Sequence, residues 1–325
     1  MSDFPKAIRI VEQGPREGFQ FEKQPVPTVA KVELIDALSG TGLSQIQTVS
    51  FVNPKMVPQM ADAEAVVAGI TPKPGVRYTA LALNEAGIRR ALATGRLDLE
   101  GFVSLTASEA FLLRNQRQTM AESIEKQRGA VGLYKAHGID VNRVSIMAAF
   151  GCNFEGDIPV ERVLDLVQAG IDIAAGHGSR IRQLNLSDTM GWATPRTIRQ
   201  VLEKVRARFP DLELALHLHD TRGMGIANAY AGLEMGVSTF DSCVGGLGGC
   251  PFAGNPAAAG NVCTEDLVFL CDELGIETGV SAEAMIEAAR LAERIVGHPL
   301  PGSVKTGGTL ARRRAAIAAN KGVGQ

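Results

Sequence analysis

The alternation of short β-rich apolar runs with helical patterns along the whole chain is the feature that most constrains its fold. Eight such runs occur in the 325 residues, and stretches with helical spacing separate most of them. Strands joined by helices form a parallel sheet with right-handed crossovers. Eight units favour a closed (β/α)8 TIM barrel over an open doubly wound sheet. The predicted strands span residues 7–12, 44–50, 76–83, 100–105, 141–149, 181–187, 212–218 and 237–242.

The helices between these strands are predicted from apolar spacing and capping residues. We expect Thr28 to cap a helix that stops near Gly40, and Pro195 to be the first residue of another. Because no linker divides the chain, we expect an α/β catalytic barrel over residues 1–296 and a short C-terminal extension over 297–325. Further helices are predicted over residues 118–137, 157–169, 224–235 and 281–296.

Composition and charge exclude several classes of protein. Apolar residues make up 45% of the chain, which excludes a disordered or collagen-like protein. The 33 basic and 35 acidic residues are balanced, so nucleic acid is not an expected partner. No apolar run has the length of a membrane span, and no phosphate-binding glycine motif occurs. The five cysteines form no CxxC pair and the chain starts without a signal-peptide pattern, so a cytoplasmic protein with reduced thiols is expected.

Polar side chains stand at the ends of the predicted strands, where a TIM barrel carries its active site. His217 and His219 end the seventh strand, and side chains two residues apart share one face of a strand. Their imidazoles therefore converge as a divalent metal would require, although two ordinary polar residues explain the pair equally well when it is taken alone. Glu17 after the first strand adds a carboxylate, and Asn261 after the eighth adds an amide oxygen. This mixed set is compatible with Mg²⁺, Mn²⁺ or Zn²⁺.

Four more residues at strand ends are candidates for the reaction or for substrate binding. Arg16 is a cation beside Glu17. Cys250 lies in a glycine-rich loop, residues 245–252, which suits a loop that closes over a substrate and delivers a thiol. Asn84 ends the third strand and Glu109 follows the fourth, so both are candidate substrate contacts.

These motifs resemble the 3-hydroxy-3-methylglutaryl-CoA (HMG-CoA) lyase family over about residues 8–290. The resemblance implies a TIM barrel with Mg²⁺ or Mn²⁺ that cleaves a tertiary 3-hydroxyacyl-CoA thioester to acetyl-CoA and a keto acid. A homo-oligomer is also expected, with a dimer favoured. The matching segments are residues 11–20 (VEQGPREGFQ), 50–62 (SFVNPKMVPQMAD), 186–191 (LSDTMG), 217–221 (HLHDT), 246–253 (GLGGCPFA), 260–261 and 264–268.

The same resemblance implies a role for individual residues. His217, His219 and Asn261 match the family's metal ligands, and Arg16 matches the arginine that stabilises the enolate of the leaving acetyl-CoA. Cys250 matches a cysteine that takes part in proton transfer. Asp188 matches an aspartate of the sixth-strand motif, and Asp188 and Gln47 are counted with Arg16, His217 and Cys250 as candidate catalytic residues.

The chemistry of the reaction explains these residue types. Breaking a carbon–carbon bond beside a tertiary alcohol requires a base for the hydroxyl proton, a cation for the hydroxyl and carboxylate oxygens, and an electrophile for the thioester oxygen. A metal serves as the cation and Arg16 as the electrophile. His217 is a candidate base, and Cys250 would protonate the acetyl-CoA carbanion.

The chain departs from the family pattern at two positions. Glu17 stands where the family has Asp, and Gln47, at the end of the second strand, stands where it has Glu. Because Glu is one methylene longer, its carboxylate reaches about 1.5 Å further into the barrel mouth. A substrate that is shorter by about one methylene, such as citramalyl-CoA or a malyl-CoA, would compensate. Neutral drift within an HMG-CoA lyase is the alternative.

Two rival functions remain. Claisen-type condensing enzymes, such as isopropylmalate or homocitrate synthases, resemble the chain at the first strand and at the two histidines. They usually carry a long C-terminal region and lack the cysteine loop. The other rival is a barrel that has lost its chemistry and serves as a binding partner, which the changes at Glu17 and Gln47 would permit.

Overall fold

The computed structural model describes residues 4–249 and 259–322 and confirms the predicted TIM barrel. Eight parallel strands follow one another in the order β3-β2-β1-β8-β7-β6-β5-β4. A hydrogen bond from Asp98 N–H to the Tyr78 carbonyl (2.8 Å) joins the chain before β4 to β3, at the two ends of this order. The strands are β1 Arg9–Glu12, β2 Gln45–Ser50, β3 Arg77–Leu81, β4 Gly101–Thr106, β5 Val141–Met147, β6 Gln183–Ser187, β7 Glu213–His217 and β8 Thr239–Ser242.

The register of the strands brings their carboxyl ends to one rim. Ser187 of β6 pairs with His217 of β7, and His217 pairs with Asp241 of β8. Leu184, Leu186, Leu216 and Phe240 on these strands have no exposed surface, which fits the apolar runs from which the strands were predicted. The sheet therefore holds polar strand ends in place above an apolar core.

All six predicted helices are present, and one predicted cap is corrected. The helix expected after Thr28 contains Thr28 as its first residue, and the Thr28 hydroxyl donates to Asp62 (2.7 Å) instead of capping. Pro195 opens a helix as predicted, with the Thr194 side chain as its cap. The helices are α1 Thr28–Ser39, α2 Ala63–Gly69, α3 Glu85–Ala93, α4 Glu109–Gln116, α5 Met120–Ala136, α6 Val160–Ala175, α7 Pro195–Arg208, α8 Gly225–Glu234, α9 Thr264–Leu274, α10 Ala282–Val296, α11 Val304–Gly307 and α12 Leu310–Gly322.

The segment after α10 packs back onto the barrel before it ends in an exposed helix. The Gly302 amide donates to the Gly245 carbonyl (3.2 Å), and Lys305 pairs with Glu293 (2.6 Å). The side chains of residues 310–320 in α12 are exposed. We keep the division into a barrel and a C-terminal extension at residue 296 as a proposal. Within the described ranges, no helix has the length and apolar character of a membrane span.

Candidate active site and metal centre

A buried carboxyl group organises the turn that carries Arg16 and Glu17. Glu12, the last residue of β1, accepts hydrogen bonds from the amides of Gly14 (2.7 Å) and Val244 (2.9 Å). These contacts tie the five-residue π-helical turn Gly14–Gly18 to the start of the loop after β8. A Cβ atom at position 14 would lie 2.6 Å from the Glu12 carboxylate, so the close approach requires glycine.

Four candidate metal ligands meet beside this turn. Glu17 Oε1 lies 3.4 Å from His217 Nε2, 3.6 Å from His219 Nε2 and 3.2 Å from Asn261 Nδ2. The potential ligand atoms of Glu17, His217 and His219 all lie within 4.8 Å of one another. Asn261 joins them because it pairs as an isolated β-bridge with His219. The residues come from three strand ends that are far apart in the sequence.

The orientation of these side chains fits a divalent metal. His217 Nδ1 lies 3.2 Å from Asp241 Oδ2, and His219 Nδ1 lies 3.0 Å from the Thr189 carbonyl, so both rings turn Nε2 towards Glu17. Such outer hydrogen bonds fix the orientation of metal-binding histidines. The Asn261 amide oxygen is buried and has no hydrogen-bond donor in the described chain. Two imidazoles, a carboxylate and a spare amide oxygen form a suitable ligand set.

The charges of the cluster are strongly coupled. Burial alone would raise the pKa of Glu17, but Arg16 and His217 outweigh it and hold this pKa well below its usual range. Burial would lower the pKa of His217, but Glu17 and Asp241 raise it to about 10. These contacts favour the protonated form of His217 in the metal-free protein, and a bound metal would displace that proton. The role of His217 as a base concerns the metal-bound site and stays a prediction.

Arg16 is held in the cavity by neighbours that leave part of its guanidinium group available. Its Nε donates to Gln47 Oε1, and its Nη2 donates to Gln13 Oε1 (3.0 Å) and Glu17 Oε2 (2.9 Å). The Nη1 donors have no protein acceptor among the residues described. Gln47 thus contacts Arg16 directly, as does Gln13, which lies in the segment 11–20 but for which no role was predicted.

Asp188 binds the backbone of the turn that follows β6, next to the site. Its Oδ1 accepts from the amides of Trp192 (2.7 Å) and Ala193 (3.0 Å), and burial raises its pKa. Asp188 is absent from the described residues that line the cavity, whereas the next residue, Thr189, lines it and presents its carbonyl to His219. These contacts support a positioning role for Asp188, and its catalytic role stays a prediction.

A cavity of about 970 Å³ opens above the cluster, lined by Arg16, Glu17, Gln47, His217 and His219. Asn84 also lines it, although its side chain caps α3 by accepting from the Gly87 amide (2.9 Å). Glu109 is exposed at the start of α4 and is not brought to the described cavity wall. Cys250 lies outside the described residues. Its neighbour Gly249 lines the cavity and pairs with Ala259 at the other end of the loop.

Sequence reasoning missed the buried polar residues beneath the cluster. Asp241 accepts from Asn185 Nδ2 (3.1 Å) and faces His217. Burial would raise the pKa of Asp241, but the contact with His217 outweighs it and lowers this pKa. Asp241, Asn185 and Glu12 lie singly within apolar strands, where no spacing motif marks them. The pairing of Asp241 with His217 in the sheet register is the signal that could have found it.

Comparisons with known proteins agree with this geometry. Residues 7–292 match a family model described as HMGL-like. The chain is 39% identical over 298 residues to hydroxymethylglutaryl-CoA lyase YngG of Bacillus subtilis, covering 92% of this chain and 96% of that protein. It is 40% identical over 299 residues to 3-hydroxy-3-isohexenylglutaryl-CoA/hydroxy-methylglutaryl-CoA lyase of Pseudomonas aeruginosa, covering 91% and 95%.

Solved structures give the same result. The HMG-CoA lyase of Bacillus subtilis superimposes with a TM-score of 0.84 at 38% identity, covering 92% of this chain and 97% of that one. An HMG-CoA lyase from Acinetobacter baumannii in complex with coenzyme A and 3-methylmalate gives a TM-score of 0.82 at 36% identity, covering 95% and 97%.

Proposed function

The chain belongs to the HMGL-like family and is a carbon–carbon lyase, and we propose that it cleaves HMG-CoA to acetyl-CoA and acetoacetate. The observation that carries the proposal is the presence, in one cavity, of a candidate metal-ligand cluster and of Arg16, whose Nη1 donors have no acceptor among the residues described. The reaction needs both, because charge develops on the substrate's hydroxyl oxygen at one end and on its thioester oxygen at the other.

We propose that Glu17, His217, His219 and Asn261 would hold the metal and that the ion is Mg²⁺ or Mn²⁺; the approach of the Glu17, His217 and His219 ligand atoms to within 4.8 Å of one another supports this. When bound, the ion supplies a Lewis acid for the hydroxyl and carboxylate oxygens of the substrate. Oxygen-rich coordination favours these ions, whereas the two imidazoles would also accept Zn²⁺. Gln47 and Gln13 hold Arg16 beside the cluster without neutralising its charge.

The remaining steps belong to the chain's own side chains. We assign the hydroxyl proton to His217 as base; as the proton moves to this imidazole, the bond to the carbinol carbon breaks and its electron pair moves to the carbon next to the thioester. The Nη1 donors of Arg16 stabilise the negative charge that then develops on the thioester oxygen. We assign the protonation of this carbon to the Cys250 thiol, on the loop whose two ends, Gly249 and Ala259, pair at the cavity.

The test is steady-state release of acetyl-CoA from HMG-CoA by the purified protein, before and after chelation and with Mg²⁺ or Mn²⁺ restored. We expect Arg16→Gln to lower kcat by a factor of about 10²–10³, the cost of removing one donor to a developing oxyanion. Arg128→Gln is the matched control, because Arg128 pairs with Glu125 on the surface (3.6 Å). Cleavage that survives complete metal removal would contradict the proposal.

A shorter substrate, citramalyl-CoA or a malyl-CoA, is the second candidate. Glu17 and Gln47 both face the cavity, and both differ from the family pattern. The Pseudomonas relative is named for a bulkier acyl group as well as for hydroxymethylglutaryl-CoA, so relatives at this identity differ in the acyl group that they accept. The Acinetobacter structure holds 3-methylmalate, a short hydroxy-dicarboxylate.

The ratio of kcat/KM for HMG-CoA and citramalyl-CoA decides between these substrates. If the shorter one is preferred, Glu17→Asp combined with Gln47→Glu should move the ratio towards HMG-CoA by about 10–200-fold, the effect of one methylene in a pocket. Gln47→Glu alone separates the effect of charge from that of length. A native preference for HMG-CoA that the double change leaves unaltered would make Glu17 a tolerated ligand exchange.

A further inference from the structure

Helix α5 forms the wall of the cavity that lies across the barrel mouth from the metal ligands. Those ligands follow β1, β7 and β8, whereas α5 connects β4 to β5, and β4 is the strand furthest from β8 in the order of the sheet. Lys126 and Gln127 of α5 line the same cavity as Arg16. A ligand that fills the cavity therefore extends from the cluster towards α5.

Lys126 differs from every other charged side chain that is described in the cavity wall. Each of the others has an acidic or basic side chain as its partner within 4.0 Å, whereas Lys126, which is exposed, has no acidic side chain within that distance in the described chain. The partnered groups are Arg16 with Glu17 (2.9 Å), His219 with Glu17 (3.6 Å), His217 with Asp241 (3.2 Å), Glu85 with His137 (3.1 Å) and Arg143 with Glu100 (3.9 Å). The positive charge at this edge is thus available to a ligand.

Two apolar side chains at the cavity wall add a second feature. Phe21, which follows the Arg16 turn, is 37% exposed, and Leu83, which follows β3, is 52% exposed, yet both line the cavity. Large apolar groups that stay exposed at the mouth of a pocket favour contact with an apolar ligand part. The cavity therefore presents donors and a metal cluster at one side, apolar contacts at its mouth and a cation on α5.

We propose that Lys126 binds a phosphate group of the coenzyme A moiety. This inference rests on the proposed function, because it takes the thioester oxygen to lie at Arg16. From there the uncharged pantetheine arm passes the apolar contacts of Phe21 and Leu83, and the phosphate groups follow it out of the barrel. A lysine ammonium group binds phosphate as a point charge with three donors.

The test compares a ligand that carries the phosphates with one that lacks them. For Lys126→Gln we expect a rise of about fivefold in the KM for the acyl-CoA substrate and in the Kd for coenzyme A, with kcat unchanged, as for the loss of one exposed charge pair. The KM for the corresponding acyl-pantetheine should not change. The difference in KM between the native protein and Lys126→Gln should shrink at high salt, since exposed charges are screened.

Two further variants complete the design. Lys126→Arg keeps the charge and should restore the native KM. Arg128→Gln changes a cation on the same helix that pairs with Glu125 and is absent from the described cavity wall, so it should have no effect on KM.

An equal rise in KM for acyl-CoA and acyl-pantetheine, or no rise in KM for either, would overturn the inference. Coenzyme A binding by calorimetry tests Lys126 even if the native protein fails to cleave HMG-CoA, an outcome that would defeat the proposed function instead.

Discussion

The side chain of Asn261 combines a donor that is in use with an acceptor that is not. Its amide donates to Glu17, and its oxygen stays buried without a donor in the described chain. An aspartate of the same shape would face the Glu17 carboxylate with a like charge. The choice of an amide at this position therefore lets a carboxylate and an oxygen ligand stand side by side.

His219 supports a prediction about metal binding. His219→Ala should weaken metal affinity by more than about 100-fold, because even the loss of an outer hydrogen-bond partner of a ligand costs about 10–100-fold. Metal content after equilibrium dialysis measures this without reference to activity. His177→Ala is the control, since His177 lies near the Ile173 carbonyl on a surface helix (3.1 Å). Equal metal content in the two variants would show that His219 is not a metal ligand.

Cys250 supports a prediction about kinetics. Cys250→Ala should lower kcat by a factor of about 10²–10⁴ and leave KM nearly unchanged, because a thiol that acts only in proton transfer stabilises the transition state and not bound substrate. Cys263→Ala provides a comparison from a buried cysteine outside the described cavity wall. A loss in KM as large as the loss in kcat would indicate that Cys250 packs against the substrate instead.

At the scale of elements, the strands were predictable and the turns between them were not. All eight strands carry apolar runs that differ from their surroundings, so the barrel could be inferred from the sequence alone. The π-helical turn Gly14–Gly18 could not, because its shape depends on hydrogen bonds to Glu12, whose partners Val244 and Thr264 are remote in sequence. The short helix α2 was missed for lack of a clear apolar period.

Glu12 joins the turn after β1 to the segment after β8, and its buried carboxyl group predicts that the free energy of unfolding depends on pH. Burial raises the pKa of Glu12 from 4.5 to about 7, so the folded state holds this proton more tightly than the unfolded state does. The free energy of unfolding should therefore fall as pH rises from about 4.5 through about 7, by on the order of 3 kcal/mol from this group.

Glu12→Gln tests this prediction, because glutamine can keep the contacts with Gly14, Val244 and Thr264 but cannot titrate. Urea unfolding at pH 5.5 and pH 8.5 should show a smaller loss of stability in the variant than in the native protein. Burial raises the pKa of Glu265 to about 8 and the Glu12 carboxylate contributes to the rise, so the comparison is made in a Glu265→Gln background. Parallel pH profiles would show that Glu12 does not titrate as proposed.

At the scale of the whole molecule, the segment after α10 packs against the start of the segment that follows β8. Leu300 and Pro301 lie so close to Gly245 and Gly246 that a Cβ atom on either glycine would be 2.7 Å from them. The Gly302 amide also bonds to Gly245. The C-terminal extension therefore reaches the base of the loop after β8.

Two truncations separate the parts of this extension. A chain that ends at residue 308 loses exposed α12 and Thr309, whose hydroxyl donates to Glu283 (2.6 Å), and should keep native kcat and a Tm within a few degrees. A chain that ends at residue 297 loses Leu300, Pro301 and Lys305 as well, and its kcat should fall while metal binding persists, because the four ligands are untouched. Equal activity of the two truncated proteins would contradict a supporting role for residues 298–308.

The contact between Glu17 and Asn261 joins residues 244 positions apart. It lies where β1, the first strand of the chain, pairs with β8, the last. A ribosome therefore releases Glu17 long before Asn261, and a growing chain cannot bring the four proposed metal ligands together until residue 261 has emerged. An ion bound by these proposed ligands would stabilise only chains whose first and last strands have already met, so it would bind late in synthesis.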